Sequence, residues 1–390
     1  MRVLIIHNYY QSSGGERVAV EAQIDLLERH GHQVILFTRD NKEIQSYNLT
    51  QKVAFVPNTI FSRKTNIELT ALVREARPDI IHVHNVFPLI SPSVYSAIRD
   101  VGIPIVQTLH NFRFLCPNGL FFINGQNCER CKYGNTIHSI PRRCYRESYV
   151  LSALYAMSIG SHRHFGTFES IDRFIALTEF AAEKIIESGI APRAKISILG
   201  NFIQIPPIRI IEKRKPYVVY LGRLSSEKGV DVLIGAMDGL SDIELKIAGN
   251  GPQLKSLREL VEKRKLGHVH FIGYVEGKRK LELLSEAQAI VVPSVCYENF
   301  PYTVLESMAI GTPVIASDIG GLSTIIEDHK SGLLFDVSDS NALRKLISYL
   351  RDNPTQIVEM GHYARSIIET NYTEIPHYNR LMQIYNELLP

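Results

Sequence analysis

Apolar residues in this chain come in short unbroken runs rather than in alternation. RVLIIH (2–7), QVILFT (33–38), DIIHVH (79–84) and PIVQTLH (104–110) mark the first half. YVVYLG (217–222), ELKIAG (244–249), VHFIGY (269–274), AIVVPS (289–294) and PVIAS (313–317) mark the second. Such runs predict parallel strands covered on both faces. The helical patterns between them predict βαβ units. Between the two series, QIPPIRIIEKRKP (204–216) holds three prolines and a cluster of charge and reads as a linker. The expectation is an α/β chain of two doubly wound, Rossmann-like domains, 1–205 and 206–371, facing a central cleft. Ligands are expected beyond the carboxyl ends of the strands.

A chain of 390 residues with 45% hydrophobic composition can bury two cores. The net charge of +3 gives no general argument for nucleic acid. Residues 101–150 carry six basic and two acidic side chains. That segment suits an anionic acceptor or a negative membrane surface, and equally a solvated basic face. The first apolar run is too short for a signal sequence, and none approaches the ~18 residues of a membrane span. A soluble, cytoplasmic chain is therefore expected, with any membrane attachment peripheral.

Three glycine-bearing loops follow predicted strands. Ser13-Gly14-Gly15-Glu16 precedes a helical pattern, where backbone amides could meet an anion or simply make a tight turn. The GxGxxG dinucleotide fingerprint is absent here, which counts against a nicotinamide enzyme. Gly222-Arg223-Leu224-Ser225-Ser226-Glu227-Lys228-Gly229 places a forked donor and a point charge five residues apart, a pair suited to a diphosphate. Ala248-Gly249-Asn250-Gly251-Pro252 is a similar turn that punctuation alone would explain.

ENFPYTVLE opens on Glu298 and closes on Glu306. Eight helical steps would separate them by about 12 Å, against roughly 5 to 9.5 Å for glycosidase carboxyl pairs. Two carboxylates reading different parts of an extended ligand are the plainer expectation. Pro301 suits the first turn of a helix, which would leave Glu298 in the entering loop and the amides of Phe300, Tyr302 and Thr303 free for an anion. A glutamate capping its own helix, with the other solvated, is the alternative.

GRLSSEKG, AGNGP, FIGYV and ENFPYTVLESMAIGTPVIAS, in this order, resemble the donor-binding half of the retaining glycosyltransferases of GT-B fold, family 4. The glycine turn, HVHNVF and LHNF resemble its acceptor half. The resemblance implies transfer of a hexose-type sugar from a nucleoside-diphosphate sugar to a glycan or lipid-linked acceptor, in capsule, O-antigen, lipopolysaccharide or exopolysaccharide assembly. It implies that Arg223 and Lys228 bind the diphosphate and Glu306 the ribose. Glu298 would contact the sugar, with Asn299, Phe300, Tyr302 and Thr303 closing around sugar and phosphate. Asn250 would join the donor site, Val275 would lie by the base, and Gly14 and Gly15 would approach the diphosphate. His110 would orient a hydroxyl or stabilise charge. Many relatives carry Asp at Asn111 and Gly at Pro301, so the partner of His110 stays open and a tighter donor loop is expected. The C-terminal helix, 372–390, would return to the first domain.

Without an Asp-x-Asp run, no catalytic metal is expected. The competing readings are a phosphorylase or sugar-nucleotide epimerase of the same fold, and a non-catalytic subunit of glycan assembly. Separately, Cys116, Cys128, Cys131 and Cys144 crowd one segment with a Cys-x-x-Cys at its middle, and Cys296 stands apart. A structural zinc, with His138 a substitute ligand, stands beside free thiols as the expectation. Arg142, Arg143 and Arg146 precede SYVLSALYAMSIG, which reads as a buried helix or as a basic and apolar surface for an acceptor at a membrane.

Overall fold

The computed structural model describes residues 1–11 and 14–389. Ser13 of the glycine turn lies outside them. The chain divides into two compact units: residues 1–123, 128–200 and 378–390, and residues 124–127 and 201–377. The main division thus falls at 200/201, against the 205/206 expected from the proline-rich stretch.

The first unit is built on strands β1 (Arg2–Tyr9), β2 (Gln33–Asp40), β3 (Ile80–Asn85) and β4 (Ile105–Leu109). A short pair, β5 (Phe122–Ile123) and β6 (Gln126–Asn127), stands apart, followed by β7 (Arg173–Ala176) and β8 (Ile196–Ile198). The sheet runs β2-β1-β3-β4-β7-β8, and every pairing is parallel. Val3 to Asn8 of β1 and all of β3 are buried, as covering on both faces requires. Leu381, Ile384 and Tyr385, from the helix Glu374–Asn386, are buried against Val3, Ile5, Val106 and Ile175. The last helix is therefore part of this core.

The second unit contains β9 (Lys215–Leu221), β10 (Glu244–Ala248), β11 (Val269–Gly273), β12 (Ala287–Val292), β13 (Val314–Ser317) and β14 (Gly332–Phe335). Its order is β11-β10-β9-β12-β13-β14, again all parallel. The connection from β9 leads outward to β10 on one side, while β12 pairs on the other. The order reverses between β9 and β12. A crevice opens beyond the carboxyl ends of strands at such a point, because the two following loops diverge.

The expected linker is not loose. Arg214 Nη1 donates to the carbonyls of Ser285 and Ala287 at 2.7 and 3.0 Å and to Thr312 Oγ1 at 2.7 Å, while Nη2 donates to Gly311 O at 2.5 Å. Arg365 holds the Ile208 carbonyl at 2.8 Å. One guanidinium fork gathers the ends of three elements, so this segment is a structural part of the second unit. Composition revealed its prolines and charges but not where Arg214 would be buried.

Candidate functional site

Two loops meet at the switch point of the second sheet. After β9, Gly222 N bonds Ala248 O at 3.0 Å, and the Tyr220 hydroxyl donates to Arg223 O at 2.7 Å. Leu224 N bonds Asn250 O at 3.0 Å. The turn Gly249–Pro252 thus braces the Gly222–Gly229 loop from behind, through the backbone carbonyl of Asn250, whose residue is exposed. Lys228 is followed by Gly229 at φ 61°, where a Cβ would sit 2.0 Å from Pro293 O. Only glycine allows the two loops this approach.

The approach brings Lys228 to Glu298, 70 residues later. Lys228 Nζ and Ser294 Oγ both donate to Glu298 Oε1 at 2.5 Å. Burial disfavours the ionised carboxyl, but the Lys228 charge and these two hydrogen bonds more than offset it and hold the pKa of Glu298 below its ordinary value. Glu298 therefore stays anionic, with Oε2 bearing no hydrogen bond among the described residues. An ammonium carries three donors, so Lys228 keeps capacity for an anion. Arg223 is exposed, and its guanidinium has no hydrogen bond or ion pair among the described residues. This arrangement presents two cations and one fixed carboxylate to solvent at the crevice.

The helix Tyr302–Ala309 begins one residue later than expected. Pro301 is its N-cap, in extended conformation at φ −75°, ψ 124°, rather than a residue of the first turn. Val304 N bonds Pro301 O at 3.1 Å, which leaves the amides of Tyr302 and Thr303 ahead of the first helical bond. The preceding loop is clamped: Gly321 N bonds Glu298 O at 2.6 Å, and a Cβ at Gly321 would lie 1.9 Å from Asn299 O. Phe300 is buried edge-on to Tyr372 at 5.4 Å. Thr303 Oγ1 lies 3.5 Å from Leu221 O at the end of β9.

Glu306 lies about a turn and a half into the helix, where Lys280 Nζ donates to its Oε1 at 2.6 Å. Tyr302 is pushed well above the usual phenol pKa by burial and by the Glu306 charge. Val275 is buried past the end of β11. Sequence reasoning passed over Lys280 and Ser294. The basic run GKRK opening the helix Gly277–Glu286 and the serine ending the β12 run were their only signals.

In the first unit, the carboxyl ends of β1, β3 and β4 carry His7, His84 and His110. The His84 and His110 rings stack at 5.2 Å, with His84 Nδ1 and His110 Nε2 2.9 Å apart, so one of the two nitrogens donates to the other. Burial, aided by His7, pulls the pKa of His110 down to about 3. Burial and the Arg17 charge take His7 to about 4. Both rings are neutral near pH 7. The open question of the partner of His110 has its answer in His84, because Asn111 is engaged elsewhere. Asn111 Nδ2 donates to Glu16 Oε2 at 3.0 Å and lies 3.3 Å from Tyr10 OH, while its Oδ1 accepts from Arg113 N.

Glu16 is half-buried, yet its Oε1 is shut from solvent and unbonded. Burial raises its pKa to about 8, against the opposing pull of Arg113 and of hydrogen bonds from Asn111 and Asn85. The unfolded carboxyl ionises near 4.5, so between pH 4.5 and 8 the folded state binds more protons than the unfolded one. The stabilisation is thus fully present below pH 4.5 and is lost as pH rises toward 8. We expect denaturant midpoints of the wild type to fall across this window more steeply than those of Glu16→Gln. Parallel profiles would show that Glu16 is not the titrating group.

Gly14 is the N-cap of the helix Gly15–Arg29, extended at φ −157°. A Cβ there would meet nothing within 4 Å. The four clustered cysteines lie in the same unit, around one small cavity. The helix Tyr149–His164 that follows buries Leu154, Tyr155 and Ile159, while Arg143, Arg146, Tyr149 and Val150 are exposed. The stretch is thus buried on one face and exposed, with two of the arginines, on the other. Among the described residues, no helix is long and apolar enough to cross a membrane.

Two doubly wound parallel sheets are the fold of a GT-B α/β protein, and the second gathers cations and carboxylates at its switch point. The profile of glycosyltransferase family 4 matches residues 13–205, and that of glycosyl transferases group 1 matches residues 202–367. The chain belongs to this glycosyltransferase family. An uncharacterized glycosyltransferase of Methanocaldococcus jannaschii is 30% identical over 225 residues, 52% of this chain and 56% of that protein. The match thus spans about half the length of that relative. A GDP-mannose-dependent alpha-mannosyltransferase of Corynebacterium glutamicum is 26% identical over 87% of this chain and 78% of its own length. Among solved structures, sucrose-phosphate synthase from Thermosynechococcus elongatus superposes with a TM-score of 0.72 at 18% identity, covering 99% of this chain and 98% of that one.

Proposed function

We propose that this protein transfers a hexose-type sugar, with retention of anomeric configuration, from a nucleoside-diphosphate donor to a glycan or lipid-linked acceptor of a cell-surface polysaccharide. The observation that carries the reading is Lys228 and Ser294 converging on Glu298, with Arg223 exposed five residues before Lys228 in the same loop. A sugar nucleotide presents hydroxyls, two phosphates and a ribose in sequence, and this site offers an anionic oxygen, two cations and a second glutamate. The nucleotide-sugar donor named for the Corynebacterium glutamicum relative supports the same class.

In this reading Arg223, Lys228 and the amides of Tyr302 and Thr303 stabilise the charge that grows on the departing diphosphate, an electrostatic contribution that needs no proton transfer from the protein. Glu298 Oε2 accepts from a sugar hydroxyl and fixes the sugar over the leaving group. Asn299 and Phe300 shape that loop, Glu306 receives the ribose hydroxyls in exchange for Lys280, and Val275 lies by the base. The acceptor hydroxyl attacks the anomeric carbon from the face the phosphate leaves, and its proton passes to the departing phosphate oxygen. Neutral His110, steadied by His84, orients a hydroxyl without titrating near pH 7.

The test is incubation of the purified chain with a panel of nucleoside-diphosphate hexoses and lipid-linked or oligosaccharide acceptors, with NMR of the product. An α-linked product from an α-linked donor, formed without added divalent cation, is the expected result. An inverted anomer, release of sugar phosphate that depends on inorganic phosphate, or epimerised donor without acceptor would reject the reading.

Gly14 provides a second check. Among the described residues a Cβ there would meet nothing within 4 Å, so the bare backbone leaves room for a ligand. Gly14→Thr, which keeps a comparable N-cap preference, is expected to change unfolding free energy by less than about 0.5 kcal/mol while raising KM for donor or acceptor. Unchanged kinetics would remove Gly14 from the site.

A further inference from the structure

Residues 111–148 contain little regular structure beyond β5, β6 and a turn at Thr136–Ser139. Five non-glycine residues there, Phe121, Asn124, Arg143, Arg146 and Glu147, hold φ between 50° and 53°. Left-handed backbone of this kind costs of order 1 kcal/mol or more per residue and persists only where the surroundings enforce it. Four of the five cysteines in the chain lie in this segment.

Cys116, Cys128, Cys131 and Cys144 line one cavity of about 10 Å³, with His138 at its wall. That volume admits one small occupant rather than a molecule. Arg142 Nη1 donates to Cys128 Sγ at 3.4 Å. A neutral thiol is a weak acceptor, so a guanidinium donor suits sulfur that carries negative charge. Arg130 and Arg142 also line the cavity. Here the thiols are turned to separate neighbours, Cys116 Sγ to Asn118 Oδ1 at 3.0 Å and Cys131 Sγ to Thr136 O at 4.0 Å. Among the described residues no three His, Cys, Asp or Glu side chains are placed so that they could hold a metal ion.

We propose that these four cysteines bind one zinc ion as a structural cross-link of the segment. The four thiols release their protons to solvent and leave a tetrathiolate of net charge −2. The guanidinium groups of Arg130 and Arg142 stabilise that charge, as outer partners do in zinc–thiolate sites. No oxidant is involved, and the ion takes no part in sugar transfer.

Elemental analysis of the purified full chain, paired with thiol titration, tests the proposal. About one zinc per chain is expected, released in step with mercurial titration of the thiols. Cobalt in its place would give the visible bands and sulfur charge-transfer absorption of tetrahedral thiolate. Cys128→Ser with Cys131→Ser loses the metal, and Cys296→Ser keeps it. If the double variant does not fold, the titration of the unmodified chain decides. Metal content below about a tenth of an equivalent with five reactive thiols, two disulfides found by mass, or zinc retained by the double variant would overturn it.

Discussion

Lys228→Ala is expected to lower kcat/KM for transfer by roughly 10³, about 4 kcal/mol of transition-state stabilisation. The size follows from two losses in one change. The cation nearest the departing diphosphate disappears, and Glu298, which Lys228 and Ser294 hold anionic, loses the charge that depresses its pKa. Glu298→Gln separates these effects. It keeps the shape of the side chain and leaves Lys228 unneutralised, so nucleoside-diphosphate affinity is maintained or increased while kcat falls. Equal losses of diphosphate affinity in both variants would show that the pair acts as a unit in binding. It would contradict the assignment of Lys228 to phosphate and Glu298 to sugar.

Arg214→Ala is expected to destabilise the second unit by about 3 kcal/mol, lowering its thermal midpoint by about 6–12 °C. No carboxylate faces Arg214 among the described residues; burial draws its pKa down to about 10, and its hydrogen-bond partners are three carbonyls and one hydroxyl. Truncation strips the guanidinium from all four acceptors at once. Arg214→Lys recovers only part of the loss, because a single ammonium cannot reproduce the spread of the fork. A midpoint within a degree or two of wild type would mean that the segment around 204–216 is loosely attached after all.

The central strands were legible because burial on both faces leaves an unbroken apolar run, as in β1, β3 and β12. The edge strands β8 and β14, with three and four residues, offered too little pattern, and so did β7. The pair β5–β6 had a signal that went unused. Asn124-Gly125, with φ of 50° and 77°, is the two-residue turn such a pair demands. In the site, the loops following β9 and β12 could be read from their glycines and charges. Their side-chain pairings could not, since Lys228–Glu298 spans 70 residues, Lys280–Glu306 and His84–His110 each span 26, and Glu16–Asn111 spans 95. Those distances in sequence close only through the strand order, and one sequence does not display that order. Pro301 shows a smaller limit: residue preference places proline at a helix start, but its position as N-cap rather than first turn depends on the loop clamped by Gly321.

The claim on which most else depends is that the crevice between β9 and β12 holds a nucleoside diphosphate. Titration calorimetry with uridine and guanosine diphosphates, on the wild type and on Arg223→Ala with Lys228→Ala, tests it most directly. The account predicts that one of the two nucleotides binds the wild type at one site and that the double substitution weakens it at least about a hundredfold, roughly 2.7 kcal/mol. Binding that survives the loss of both cations, or no binding of either nucleotide to the wild type, would contradict it.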